Sequence, residues 1–223
     1  MNGHKSTVIS QKGMQEHLAK NKGKVGQTVV ILRCFPANGS LMIGLYQSTS
    51  AGPNNAFSLT QGDVLLPADF DSRGGYQTLF NTTSGALGNE LGVRDHHMMY
   101  LTTFHGEYPD YEKYGELSGK PRDYHIVVSV AENMNVDLKN TEVVGSYDWQ
   151  EISGLLSMCN CDGVHMSEQK RTIVCIALEM LCGSIDRVSR NLKGRVNRDM
   201  VMGVNSCFAQ QQVIPPQEES VAA

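Results

Sequence analysis

The chain has 223 residues, 40% of them hydrophobic and 19% charged, with a formal charge of −4. That fits one large domain, or one domain with extensions, able to bury a real core, and it excludes wholesale disorder. No run of about 18 apolar residues occurs, which excludes a membrane-spanning helix, and Met1–Lys24 lacks the apolar stretch of a secretory signal, so a cytoplasmic protein with no membrane partner is expected.

Residues 1–24 carry five lysines against one glutamate, a balance of +4. They read as a polar basic arm, with a weak helical signal over Ile9–Lys20. The core is expected to begin at Val25. Thr28–Leu32 is a β-branched run of the kind buried on both faces of a sheet. Pro36-Ala37-Asn38-Gly39 supplies turn chemistry, and Leu41–Tyr46 makes the second strand of a hairpin. Residues 47–56 read as a loop. Phe57–Leu59 and Val64–Leu66 are short strand candidates on either side of Gly62.

A helix is predicted from about Thr78 to Leu91. Leu79, Thr83, Leu87 and Leu91 recur every fourth residue on one face, and Gly92 supplies a C-terminal stop. Gly85 and Gly88 inside it each cost about 1 kcal/mol against alanine, so packing must hold the helix. Met98–Phe104 is the next strand, and residues 105–121 read as a surface loop. Tyr124–Val130 and Val143–Tyr147 are further strands, the latter followed by a turn over Asp148–Ile152. Ser167–Ile185 is the clearest helix, capped by Ser167, with a stripe of Ile173, Ile176, Ala177, Met180 and Leu181.

Residues 25–185 carry nine basic and eighteen acidic residues, a balance of −9, whereas 186–199 returns to +3. The expected organisation is a basic arm over 1–24, a folded body over 25–185, and a basic segment with a disordered polar tail over 186–223. An acidic body with two basic flanks is not a global nucleic-acid footprint, although the flanks suit a polyanion or an acidic partner. Cys34, Cys175 and Cys182 fall in apolar patterns and read as buried thiols. Cys159 and Cys161 with His165 are one ligand short of a zinc site and wrongly spaced.

The order of these elements, an α+β mixture, resembles the Nudix hydrolase superfamily over about residues 25–185. The resemblance rests on the hairpin leading to Leu66-Pro67 and on the helix closing with Asn89-Glu90-Leu91-Gly92-Val93. It continues through Leu101–Phe104, Arg122-Asp123 and the strand Ile126–Val130. It ends with Gly145–Ile152 before the terminal helix. It implies a Nudix-like α/β/α sandwich with a mixed sheet, flanked by the N-terminal arm and a C-terminal extension.

The Nudix box reads Gx5Ex7REUxEExGU, with U apolar. With Val93 on the last position, Leu87, Glu90 and Gly92 match. Asn89 replaces the first carboxylate of the EE pair, Ala86 the glutamate after the arginine, and Gly85 the arginine. Gln77 and Asp71 fall where the earlier glutamate and first glycine belong; a small insertion would bring Asp69 or Asp71 nearer the acidic position. Positions 86, 89 and 90 share one helix face. In the family, three carboxylates there hold Mg²⁺, which neutralises a diphosphate and activates water. One carboxylate of three is left. The box is thus degenerate, with Glu90 the remaining catalytic candidate and Glu90 and Asn89 a weak metal pair.

Glu107, Tyr108, Tyr111 and Arg122, on and beside the Tyr-rich loop, are the candidate ligand contacts, the tyrosines suited to stacking on a base. Glu107, Glu112 or Glu116 could also replace a lost metal ligand. His96-His97 follows the box, but neighbours before a strand point to opposite sides. No GxSxG, GxxxxGK[ST] or HExxH motif competes.

Three functional readings stay open. The first is a pseudoenzyme that binds a nucleoside-diphosphate-type ligand, RNA or a protein partner without standard hydrolysis. The second is a divergent active diphosphohydrolase of nucleotide derivatives, using Mg²⁺ or Mn²⁺; no cofactor is implied otherwise. The third is a structural or interaction protein on this scaffold, including a homo-oligomer.

Overall fold

The first strand of the computed structural model, β1 (Gly26–Ala37), is buried from Gln27 to Cys34 because both of its faces are covered there. Side chains alternate across a strand. Val30, Leu32 and Cys34 therefore enter one core cluster, while Val29 and Ile31 enter another. The structure describes residues 16, 20, 25–48, 57–64, 75–107, 120–139, 144–155 and 166–201. The expected basic arm, the 47–56 loop beyond Ser48, the Cys159/Cys161/His165 cluster and the tail after Val201 lie outside them.

Asn38 and Gly39 have φ of 49° and 82°, the left-handed pair a two-residue hairpin requires. They return the chain into β2 (Ser40–Ser48), which pairs with β1 from Ala37↔Ser40 to Cys34↔Ile43. Beyond that register other segments take over. β3 (Phe57–Ser58) pairs with β2, and β4 (Thr60–Asp63) pairs with β1. The second short strand thus contains Gly62 and lies wholly before the expected Val64–Leu66, of which Val64 is not strand and residues 65–66 lie outside the described residues. Gly62 must stay small there: a β-carbon on it would come within 3.2 Å of Ala86 and Thr82 on the first helix.

That helix, α1, spans Gly75–Leu91. Leu79, Thr83, Leu87 and Leu91 are all fully buried, as the four-residue spacing predicts. It has no acidic residue in its first turn and no basic residue in its last, so packing on Val29, Ile31 and Val127 holds it.

β5 (His97–Glu107) and β6 (Pro121–Val130) follow. Both are longer than expected: β5 takes residues 105–107 and β6 takes Pro121 from the predicted 105–121 loop, and β6 adds Arg122 and Asp123 before the expected start at Tyr124. They pair antiparallel, with an irregularity between Tyr100 and Thr102. β6 lies parallel to β1 from Gly26↔Arg122 to Cys34↔Val130. β7 (Val144–Glu151) pairs antiparallel with β2 through Met42↔Glu151, so Asp148–Glu151 is strand rather than turn. The sheet is mixed and seven-stranded, in the order β3-β2-β1-β6-β5 with β4 on β1 and β7 on β2.

α2 (Glu168–Gly183) and α3 (Ile185–Asn191) cover the opposite face from α1. Ser167 caps α2, accepting a hydrogen bond from the Lys170 N–H. Ile173, Ala177 and Leu181 are buried as predicted. The stripe's other edge is Val174, Leu178 and Cys182, however, and Ile176 and Met180 are only partly covered. Both edges are apolar, so periodicity alone left the helix rotation open. The basic segment is part of the fold: Val188, Leu192, Val196 and Val201 join the core. Packing therefore continues past the boundary expected at residue 185. Sheet and helices form the α/β/α sandwich implied by the sequence.

Candidate functional site

The last turn of α1 is completed by another segment of the chain. Gly92, at φ 64°, leaves the helix in the left-handed conformation. The Asp137 N–H then donates to Leu91 O at 2.9 Å and the Lys139 N–H to Glu90 O at 3.1 Å. Two carbonyls that a helix end leaves open are satisfied in this way. Val136 and Leu138 pack against the α1 core, and Trp149 Nε1 donates to Met134 O at 2.9 Å. Segment 131–139 thus ties the end of the box helix to β7.

Of the three box positions, Asn89 is exposed, Ala86 is partly buried beside Gly62, and Glu90 is partly buried. Glu90 Oε2 makes no hydrogen bond among the described residues. Burial pushes its carboxyl up to about 7, because removing it from water penalises the charged form. Among the described residues no group of three or more His, Cys, Asp or Glu side chains is placed to hold a metal ion. Mg²⁺ takes near-octahedral oxygen coordination. One half-neutralised carboxylate beside an amide and a methyl group does not fit it, and no step is derived through a metal here.

Sequence reasoning overlooked a buried charge cluster on the α1 face of the sheet. Arg33 shares the odd-numbered face of β1 with Val29 and Ile31, and its side chain is 2% exposed. Its Nε donates to Asp95 Oδ2 at 2.8 Å and its Nη2 to Asp95 Oδ1 at 3.1 Å, while Ser129 Oγ donates to Oδ2 at 2.7 Å. The guanidinium lies 5.1 Å from the Trp149 ring centroid and 5.9 Å from that of Tyr147. Tyr147 and Trp149 meet edge to face at 5.6 Å, and Phe35 leans on Trp149 at 6.0 Å. Burial opposes the charge on Arg33, but hydrogen bonding to Asp95 and the fields of Tyr147 and Asp95 outweigh it, and its pKa is raised. Burial also raises the Tyr147 phenol, with Arg33 pulling the other way. Arg33 Nη1 and the Tyr147 hydroxyl are buried without a hydrogen-bond partner among the described residues. An arginine inside the run TVVILRCF was the available sequence signal, since a charge in a strand covered on both faces must find a partner.

A second polar chain crosses the N-terminal half of the same sheet face. Tyr100 and Thr103 hydroxyls meet at 2.7 Å, Thr103 meets His125 Nδ1 at 2.7 Å, and His125 Nε2 meets Gln27 Oε1 at 2.6 Å. Gln27 Nε2 donates to Asp123 Oδ2 at 2.9 Å, and Asp123 Oδ1 meets His105 Nδ1 at 2.6 Å.

The predicted ligand contacts are not brought together by the described residues. Arg122 is 6% exposed and donates to Thr28 Oγ1 and Asp63, an internal tie between β6, β1 and β4. Glu107 ends β5; Tyr108, Tyr111, Glu112 and Glu116 lie outside the described residues. His96 is exposed and His97 opens β5. Cys34 and Cys182 are buried free thiols and Cys175 is partly buried; burial raises the Cys182 thiol to about 11 and the Cys34 thiol further. No helix among the described residues is long and apolar enough to cross a membrane.

No protein-family model matches the chain, and no curated protein matches it. Solved structures do align with it. The NUDIX domain of Shewanella oneidensis NrtR, solved with ADP ribose, is 16% identical over 74% of this chain and 97% of its own, with a TM-score of 0.49. A NUDIX hydrolase from Nitrosomonas europaea is 13% identical over 72% and 90%, with a TM-score of 0.48. A C. elegans Ap4A hydrolase binary complex is 14% identical over 71% and 99%, with a TM-score of 0.44. The chain has a mixed sheet between helical layers and a helix after the hairpin, the order of elements on which the sequence resemblance rests.

Proposed function

We propose that the chain is a Nudix-fold binding protein for a nucleoside-diphosphate-type ligand, with a box that no longer supports standard metal-dependent hydrolysis. The observation that carries this reading is the box helix itself. It presents Ala86, Asn89 and a Glu90 whose carboxyl sits near 7, where metal chemistry needs several ionised carboxylates. Recognition is assigned to the aromatic and cationic side chains beside it. Trp149 and Phe35 are only partly buried and offer ring surface for a base, and the buried Arg33 guanidinium, 5.1 Å from the Trp149 ring centroid, supports that ring from inside. Glu107, Tyr108 and Tyr111 are proposed to add contacts from the end of β5 and the chain beyond it. Arg122 supports that end from inside.

The test is a panel of ADP-ribose, NADH, dinucleoside polyphosphates and capped RNA, assayed with Mg²⁺ and Mn²⁺ for turnover and by calorimetry for binding. At least one ligand is expected to bind without being cleaved. Turnover by the wild-type protein that Glu90→Gln abolishes would instead establish a divergent hydrolase. A panel that neither binds nor turns over would leave the scaffold reading in its place.

A further inference from the structure

A concave site on the other side of the sheet answers to the basic segment that the box does not explain. At the junction of α2 and α3, a cavity of about 330 Å³ is lined by Cys182, Ser184, Asp186, Arg187, Arg190 and Arg198, among others. Three guanidinium groups face one carboxylate there, in a chain whose 25–185 body carries a balance of −9. Two of the arginines have structural duties: Arg187 Nη2 donates to Leu101 O at 2.7 Å, and Arg198 Nη2 pairs with Asp186 Oδ2 at 2.8 Å. Each uses one of five N–H donors. The Arg190 guanidinium has no ion pair or hydrogen bond among the described residues, and the Ser184 hydroxyl makes no cap hydrogen bond to α3.

We infer that this cavity binds a small di- or polyphosphate anion. Guanidinium forks match phosphate oxygens in pairs, and positive charge lining a concavity focuses the field more than charge on a convex surface. The volume lies at the low end for ligand pockets, about 300–1,000 Å³. A concavity of that size, short and set at a helix junction, suits a compact anion better than the extended groove that tracks a nucleic-acid strand. Asp186 competes with the anion for Arg198, which sets the sign of its substitution. The site lies on the helical layer opposite α1, separate from the box.

The experiment titrates the full chain with inorganic pyrophosphate at constant ionic strength, by calorimetry and ³¹P NMR. Saturable binding is expected. Arg190→Ala and Arg198→Ala should each weaken it roughly ten- to hundredfold. Arg190→Lys should recover part of the loss, and Asp186→Asn should tighten binding. Arg190 is exposed, so its variants should melt with the wild type. Absence of saturable pyrophosphate binding overturns the inference, and so does a Kd unchanged by Arg190→Ala, which would place the anion elsewhere. RNA binding with a steep salt dependence, in the absence of pyrophosphate binding, also overturns it in favour of a backbone-binding surface.

Discussion

Arg33 grips Asp95 through two near-parallel hydrogen bonds, at 2.8 and 3.1 Å, with each side chain only 2% exposed. The pair joins β1 to the chain just after the box helix, and Ser129 on β6 donates to the same carboxylate. Removing one partner leaves the other charge buried and uncompensated. Asp95→Ala should therefore cost about 3–5 kcal/mol in urea unfolding. A loss below about 1 kcal/mol, typical of an exposed pair, would mean that water reaches the cluster.

Glu90 predicts a pH dependence of definite sign. Its folded-state carboxyl titrates near 7, above its ordinary value of 4.5. Below pH 4.5 both states are protonated and nothing is lost. Between 4.5 and 7 the unfolded chain ionises while the folded chain holds its proton, so stability falls as pH rises through this window. Glu90→Gln cannot ionise. It should match the wild type near pH 4 and exceed it by roughly 1–3 kcal/mol at pH 8, the range allowing for partial solvent screening. Parallel pH profiles for the two proteins would refute the shifted carboxyl.

Gly44 pairs with Trp149 across β2 and β7 and has Tyr147 as its diagonal neighbour. A β-carbon on Gly44 would fall on the Tyr147 phenol, within 2.9 Å of Cε1 and closer still to the hydroxyl. Gly44→Ala should cost about 1–3 kcal/mol by overpacking. In a Tyr147→Ala background the same change should cost little. A thermodynamic cycle measures the coupling, and additive effects would show that the ring relaxes away.

Two glycines of the box region should respond with opposite signs. Gly92 sits at φ 64°, with Asp137 O 2.5 Å from where a β-carbon would stand. Gly92→Ala should destabilise by about 1–3 kcal/mol. Gly85 lies inside α1 with open space around it. Gly85→Ala should stabilise by about 0.5–1 kcal/mol through helix propensity. Thermal melts of the two variants decide both.

Much of the fold was legible because local periodicity reports burial. The β-branched run at 28–32, the 79/83/87/91 spacing and the Ser167 cap each state which face is covered, and the structure covers those faces. Element ends were less legible. Residues 105–107 and 148–151 are polar, yet cross-strand pairing to β6 and β2 recruits them into strands. The basic segment after residue 185 looked like an extension because its charges outnumber its valines. Ile185 and Val188 nonetheless reach the core, since α3 turns them inward while Asp186 and Arg190 stay exposed, and Val196 joins them from the chain after the helix.

By itself the sequence determined the α+β order of elements and which residues, Ala86, Asn89 and Glu90, share one face of α1, because the residue type at each helix position is a matter of covalent identity. Tertiary structure alone decided where the buried chemistry gathers. Arg33, Asp95, Ser129, Tyr147 and Trp149 come from β1, the chain after α1, β6 and β7. No spacing along the chain announces such a cluster, since it exists only where a parallel strand pair and a long crossover bring distant charges out of water together. The raised pKa of Glu90 has the same origin: its acidity depends on how much water the fold leaves around it.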